Sequence, residues 1–243
     1  MVAKKEVGAK KPFCGFASAA AERRDAESSA EKGRKFSMDF FSHIEPKWRE
    51  LLVPKLAGKR GATFLEIGSA EGRSTAWLLD NVLTHPQARV YCLEDFGKKH
   101  ACNPGQTLRQ AFLKNTRAAK DKVVMLDGSV RDQLKRPDVL ATAFDAIYVD
   151  SAALGDAMGV LEAAVLAWPL LKPGGLFLFD DYTDSKEHDA SCPKPAIVSF
   201  MNAYARDLKA LYIGWMVAVQ KRRKTLPIKP CRSEFYHEDL ETL

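Results

Sequence analysis

The run Phe64-Leu65-Glu66-Ile67-Gly68-Ser69-Ala70-Glu71-Gly72-Arg73-Ser74-Thr75 sets one carboxylate and two glycines at a spacing suited to a small-molecule ligand. Gly68 and Gly72 let the backbone turn tightly and approach a bound group without interference from a Cβ. The helix expected beyond them offers free N–H groups and the positive end of its dipole, close to Ser69 and Ser74. The G-x-x-x-G spacing differs from the G-x-G-x-x-G of dinucleotide-binding proteins. Glu66, just before the first glycine, suits a cationic or hydroxyl-bearing ligand and would repel a pyrophosphate. The competing reading is a glycine turn that only packs helix on strand. Glu94 follows Gly72 by 22 positions, and a carboxylate at about that distance can accept both hydroxyl hydrogens of a ribose. Its neighbour Asp95 is an alternative for that role.

Positioning these groups takes alternating short strands and helices. Thr63–Ile67, Arg89–Leu93, Val123–Leu126, Ala143–Val149 and Leu176–Phe179 read as strands. Helical patterns fill the gaps at Ser74–Leu83, Leu108–Ala119, Gly155–Trp168 and Ala196–Leu208, with a capping segment, Met38–Leu56, ahead of them and broken at Pro46. Ala210–Ile213 and Trp215–Val219, hinged at Gly214, read as an antiparallel pair closing the sheet edge. Parallel neighbours need crossover helices, so the fold class is α/β: a Rossmann-like, doubly wound, seven-stranded sheet, mostly parallel, with an antiparallel C-terminal strand. Ligands of such sheets bind beyond the carboxyl ends of the strands. There the sequence places Glu66, Glu94, Asp127, Asp150, Asp180 and Asp181.

The 243 residues fit one such domain with an appended arm. Residues 1–36 read as a flexible basic and polar arm, 37–224 as the folded domain with its helical cap, and 225–243 as a tail. Five cysteines, far apart and without C-x-x-C, argue against a disulfide framework or structural zinc. No apolar run approaches the ~20 residues of a membrane span. We expect a soluble protein of a reducing compartment, the cytoplasm first and an organelle left open. The net charge of +6 comes largely from Met1–Lys11 and Lys221–Lys224. That surplus permits contact with nucleic acid or a larger complex, the plainer reading being a solvated tail and strand end.

With these residues in view, the chain resembles the class I S-adenosylmethionine (SAM)-dependent methyltransferases, and more narrowly methyltransferase family 24. Four stretches carry the likeness: Phe64–Leu79, Phe144–Asp150 (FDAIYVD), Leu166–Tyr182 (LAWPLLKPGGLFLFDDY) and Lys194–Lys221. The resemblance implies that Glu66, Gly68, Ser69, Gly72 and Ser74 hold the methionine end of SAM and Glu94 its ribose. Asp127, Gly128 and Ser129 would border the adenine, and Asp150 would sit beneath the sulfonium.

Metal-dependent relatives bind Mg²⁺ through acids after strands four and five, which correspond here to Asp150, Asp180 and Asp181. Hard oxygen ligands of this kind suit that ion, which could acidify an acceptor hydroxyl. The alternative is that one acid takes backbone amides while another faces water. The family pattern Asp-Gly-Ser-His after strand four is replaced by Asp150-Ser151-Ala152-Ala153. Asp150, Asp181 and His188 are therefore the catalytic candidates, with Lys186 as another base and Tyr182 as an acceptor-pocket or packing residue. The implied activity is methyl transfer to a small-molecule hydroxyl or amine, with magnesium assistance an option. The alternative function is a weak or inactive methyltransferase-like module that binds RNA or a protein complex through its basic segments.

Overall fold

The structure, a computed structural model, describes residues 33–98, 105–183 and 192–223. Seven strands are hydrogen-bonded in the order β3-β2-β1-β4-β5-β7-β6. They are β1 (Thr63–Ile67), β2 (Arg89–Glu94), β3 (Val123–Asp127), β4 (Phe144–Val149), β5 (Leu171–Phe179), β6 (Leu208–Ile213) and β7 (Val217–Lys221). β1 with β4, β2 with β3, and β4 with β5 are parallel pairs, whereas β7 runs antiparallel to both β5 and β6. The expected sheet is present, including its reversed C-terminal strand.

By its contacts the chain divides into two compact units, one comprising residues 1–63 and 69–129, the other 64–68 and 130–243. The first holds β2, β3 and helices α1 (Glu45–Leu56), α2 (Arg73–Asn81) and α3 (Leu108–Thr116). Pro46 occupies the first turn of α1, where its missing N–H costs nothing, so the helix starts there instead of at Met38. Trp48, Leu52 and Leu56 recur at helical spacing along its buried face. Trp48 meets Phe41 edge-on at 5.1 Å and Trp77 of α2 at 6.1 Å. The buried Glu45 carboxylate accepts from the Trp77 indole at 3.2 Å and from Arg49 at 2.7 Å. A capping box built by Thr107 and Gln110 starts α3.

The second unit holds β1, β4 to β7 and helices α4 (Val130–Leu134), α5 (Pro137–Leu140), α6 (Ala157–Ala167) and α7 (Lys194–Ala203). Every residue of β4 is buried, as a central parallel strand covered on both faces requires. β5 begins five residues before the expected Leu176, because Leu171 already pairs with Phe144. The register then shifts, and Pro173, Gly174 and Gly175 fall in the irregular stretch before Leu176 pairs with Ala146. Asp156 caps α6 by accepting from the Gly159 N–H at 2.8 Å. Lys221, expected as part of a basic cluster, turns inward. Its ammonium donates to the carbonyls of Trp168 and Leu171, both at 2.8 Å, and lies 5.0 Å from the Trp168 ring centre. Burial pushes its pKa down, against the pull of Asp207. Cys92 and Cys192 are buried and not joined in disulfides. Among the described residues no helix is long and apolar enough to cross a membrane.

Candidate functional site

In the first unit the loop after β1 runs from Ser69 to Gly72 and hands the chain to α2. Gly72 is the residue before the helix and has φ +82°, a left-handed value. A Cβ there would meet the Phe112 ring at 3.0 Å and the Thr116 methyl at 3.2 Å. Glycine is demanded by the turn and by the close approach of α3. Ala70 adopts φ +42° without being glycine, a conformation that costs roughly 1–2 kcal/mol. Its N–H donates to the Glu94 carboxylate at 3.2 Å, and the other Glu94 oxygen accepts from the Asp95 N–H at 2.9 Å. The sequence-expected ribose acid thus ends β2 and reaches across to the glycine loop. Ser69 and Gly72 are buried, whereas Ala70, Glu71, Ser74 and Glu94 are partly open.

Asp127 ends β3 and is taken up on both oxygens: one accepts the Phe96 N–H at 3.0 Å and the other pairs with the Arg109 guanidinium. Gly128 follows with φ +132° and donates to the Glu94 carbonyl at 3.1 Å. Beside it Ser129 is exposed. Phe96 is buried against Phe112 with ring centres 4.8 Å apart, which fixes the segment after β2 on α3. Glu94, Asp127, Gly128 and Ser129 therefore sit at neighbouring strand ends, since Glu94 and Asp127 are register partners.

In the second unit Glu66 is fully buried in β1 and Gly68 follows at φ +92°. A Cβ on Gly68 would lie 2.6 Å from the Asp150 Cβ and 2.7 Å from that of Ala153. The Asp150 N–H continues the ladder onto the Ile67 carbonyl at 2.9 Å. The absent side chain at Gly68 is what lets the end of β1 and the turn after β4 touch. The structure therefore uses both glycines for packing as well as for turning.

The three acids after β4 and β5 have separate employments. Asp150 accepts the N–H groups of Ala152 and Ala153, at 3.0 and 3.3 Å. Asp181, at φ +58°, accepts the same Ala152 N–H at 3.2 Å. Asp180 is only 4% exposed. Its Oδ2 accepts the Tyr148 hydroxyl at 2.8 Å and its Oδ1 the Asp181 N–H at 2.9 Å, while its carbonyl accepts from Ser151 at 2.9 Å. Burial, then the charges of Asp180, Asp150 and Asp181, push the Tyr148 phenol well above its ordinary pKa. Among the described residues no group of three or more His, Cys, Asp or Glu side chains is arranged to hold a metal ion. Asp180 is thus a buried acceptor of two hydrogen bonds, while Asp150 and Asp181 share the Ala152 N–H.

Tyr182 donates its N–H to the Trp215 carbonyl at 3.0 Å and lies under the Lys194 ammonium, 5.8 Å from its ring centre. Lys186 and His188 lie outside the described residues. Reasoning from sequence missed Tyr148, Arg109 and Arg73. For Tyr148 a signal existed, a hydroxyl near the end of the buried strand run FDAIYV; for Arg109 and Arg73, whose partners are distant in sequence, none did.

Residues 65–182 match the profile of a family described as a methyltransferase domain. No curated protein matches the chain. Solved structures do. An O-methyltransferase from Bacillus cereus in complex with SAH is 20% identical, covering 85% of this chain and 93% of its own, with TM-score 0.55. The O-methyltransferase TomG from Streptomyces achromogenes, involved in tomaymycin synthesis and in complex with SAM, is 18% identical over 83% of this chain and 89% of its own, with TM-score 0.56. MycE, a methyltransferase of the mycinamycin biosynthetic pathway in complex with Mg, SAH and mycinamycin VI, is 14% identical. That match covers 85% of this chain and 57% of MycE, with TM-score 0.57. Residues 65–182 match the methyltransferase-domain family, and the fold that carries them is the Rossmann-like fold of these SAM- and SAH-bound methyltransferases.

Proposed function

We propose that the chain transfers a methyl group from SAM to a hydroxyl or amine of a small molecule. The observation that carries this reading is the Ala70–Glu94 contact, which sets the open edge of the glycine loop beside the acid ending β2 within the matched segment. Neighbours of the same fold with SAH, SAM and mycinamycin VI in their complexes support it.

The donor set suits an adenosyl sulfonium. Glu94 accepts the Ala70 and Asp95 N–H groups, which it can share when it accepts ribose hydroxyls. Asp127 is held in place by Arg109 and Phe96, with Gly128 and Ser129 beside it to border the adenine. Glu66, Gly68, Ser69, Gly72 and Ser74 would hold the methionine end, with Asp150 beside the sulfonium.

SAM supplies an already activated methyl group, displaced in line by the acceptor. The chain has then to align the acceptor and accept its proton. Asp181 and His188 are the residues proposed for that proton. Magnesium assistance draws support from the MycE complex alone. Against it stands the commitment of Asp180 to Tyr148. No step here is routed through a metal.

Thermal unfolding with SAM, SAH or NAD tests the reading. SAH at about a hundred times its Kd should add ~2.7 kcal/mol to stability, and NAD nothing. The Glu94→Ala variant should lose the SAH effect. An unmoved transition with both SAM and SAH would overturn the assignment and favour a methyltransferase-like binding module.

A further inference from the structure

Residues 34–42, ahead of α1, form a strap tied to the first unit at four places. Arg34 is 8% exposed. Its guanidinium pairs with both oxygens of Asp80 near the end of α2, at 2.5 and 3.2 Å, and donates to the Asn115 carbonyl at 3.1 Å. The Ser37 N–H donates to the Glu71 carboxylate at 2.7 Å. Arg73, first residue of α2, reaches the Asp39 carboxylate at 2.9 Å and the Ser42 hydroxyl at 3.0 Å, with the Phe36 ring 5.5 Å away. The fourth tie is Asn115, in the last turn of α3.

The Asn115 side chain, 1% exposed, treats Lys35 as a neighbouring strand would. Its Oδ1 accepts the Lys35 N–H at 2.9 Å and its Nδ2 donates to the Lys35 carbonyl at 2.9 Å. The same Nδ2 donates to the Glu71 carbonyl at 2.9 Å. One N–H on one side and two carbonyls on the other leave a single consistent amide orientation. The strap, Glu71, α3 and Gln106 line an open cleft of about 360 Å³ that also takes in Phe36, Ala111 and Lys114.

We infer that Asn115 is a positioning residue for the cofactor loop, latching the strap onto the Glu71–Gly72 peptide so that strap docking and cofactor binding stabilise one another. The inference rests on the SAM reading above. Holding the Glu71 carbonyl fixes the plane of the peptide that delivers Gly72 in its left-handed turn at the start of α2. Ala70, one residue upstream, is in a costly conformation supported by its bond to Glu94. When Glu94 turns to a ribose that support is weakened, and the loop is kept in shape by Asn115 and by the Gly72 N–H on the Ser69 carbonyl, 2.8 Å. Coupling of this kind is reciprocal, so a cofactor that favours the set loop also favours the docked strap.

The test uses the full chain with SAH as the probe, measuring amide hydrogen exchange at Lys35 and Ser37 and Kd by calorimetry. Saturating SAH should slow both amides by about tenfold in the wild-type chain, and Asn115→Asp should raise Kd for SAH by about tenfold and abolish that slowing. The variant keeps the shape of the side chain but sets an oxygen against two carbonyls. A merely structural role lowers the melting temperature of the unliganded variant and leaves the Kd of its folded fraction unmoved. Should Asn115→Asp fail to fold, the wild-type exchange result and Glu71→Gln, expected to raise Kd by about threefold through a weakened bond to Ser37, decide the matter. Wild-type SAH affinity in a folded Asn115→Asp, or exchange at Lys35 and Ser37 that ignores SAH, overturns the latch alone. Failure of the wild-type chain to bind either SAH or SAM overturns the cofactor reading, and the latch with it.

Discussion

Gly68 and Tyr148 show how much of the proposed site is decided by single atoms. Replacing Gly68 with alanine sets a methyl 2.6 Å from the Asp150 Cβ at a φ of +92°. Overpacking together with left-handed strain should cost roughly 2–4 kcal/mol, read by denaturant unfolding, and should weaken SAH binding because Asp150 is pushed aside. Tyr148→Phe removes the phenol hydrogen bond to the buried Asp180 carboxylate and should cost about 1–3 kcal/mol. The same pair has a pH signature. The folded phenol keeps its proton above the ordinary value of 10.0, whereas the unfolded one releases it. Its contribution is therefore complete below pH 10 and falls as pH rises beyond it; a plot of unfolding free energy against pH should lose that alkaline decline in the phenylalanine variant.

At the scale of elements, the strands that carry the acids were legible because each is a short apolar run ending in a carboxylate. The beginning of β5 was not. Lys172-Pro173-Gly174-Gly175 reads as a turn, yet Leu171 is anchored opposite Phe144, and the chain tolerates an irregular register before pairing resumes at Leu176. Nor was the employment of Asp180 legible, since it depends on Tyr148 lying opposite Leu178, two residues before the acid. Asn115 gave a partial signal, a polar side chain on the same face of its helix as Leu108 and Phe112. The strap was assigned to the flexible arm as far as residue 36; the bonds of Arg34 and Lys35 are long-range and leave no local pattern. The helical cap depends on an aromatic cluster: Trp48, fully buried, touches Phe41 and Trp77. Trp48→Ala should cost about 3–5 kcal/mol in chemical unfolding, more than any exposed position on α1.

At the scale of the whole chain, Glu66, Gly68 and Asp150 fall in one compact unit and Ser69, Gly72, Glu94 and Asp127 in the other. In the metal-dependent pattern Asp180 would be the third carboxylate, and here it accepts the Tyr148 hydroxyl. Chelation by EDTA should leave SAH affinity and turnover of an identified acceptor unchanged, whereas loss of turnover restored by added Mg²⁺ would show that Asp180 can be recruited after all. The buried Tyr148–Asp180 pair also bears on which acceptors gain an advantage. An ion seated on three carboxylates rewards a substrate that can grip it in bidentate fashion, so vicinal oxygens outrun a lone one. If Asp180 stays paired with Tyr148, chelating power brings no reward. A vicinal diol and a monohydroxy analogue of equal acidity and shape should then be methylated at rates within about threefold of each other, a difference of less than ~1 kcal/mol in barrier.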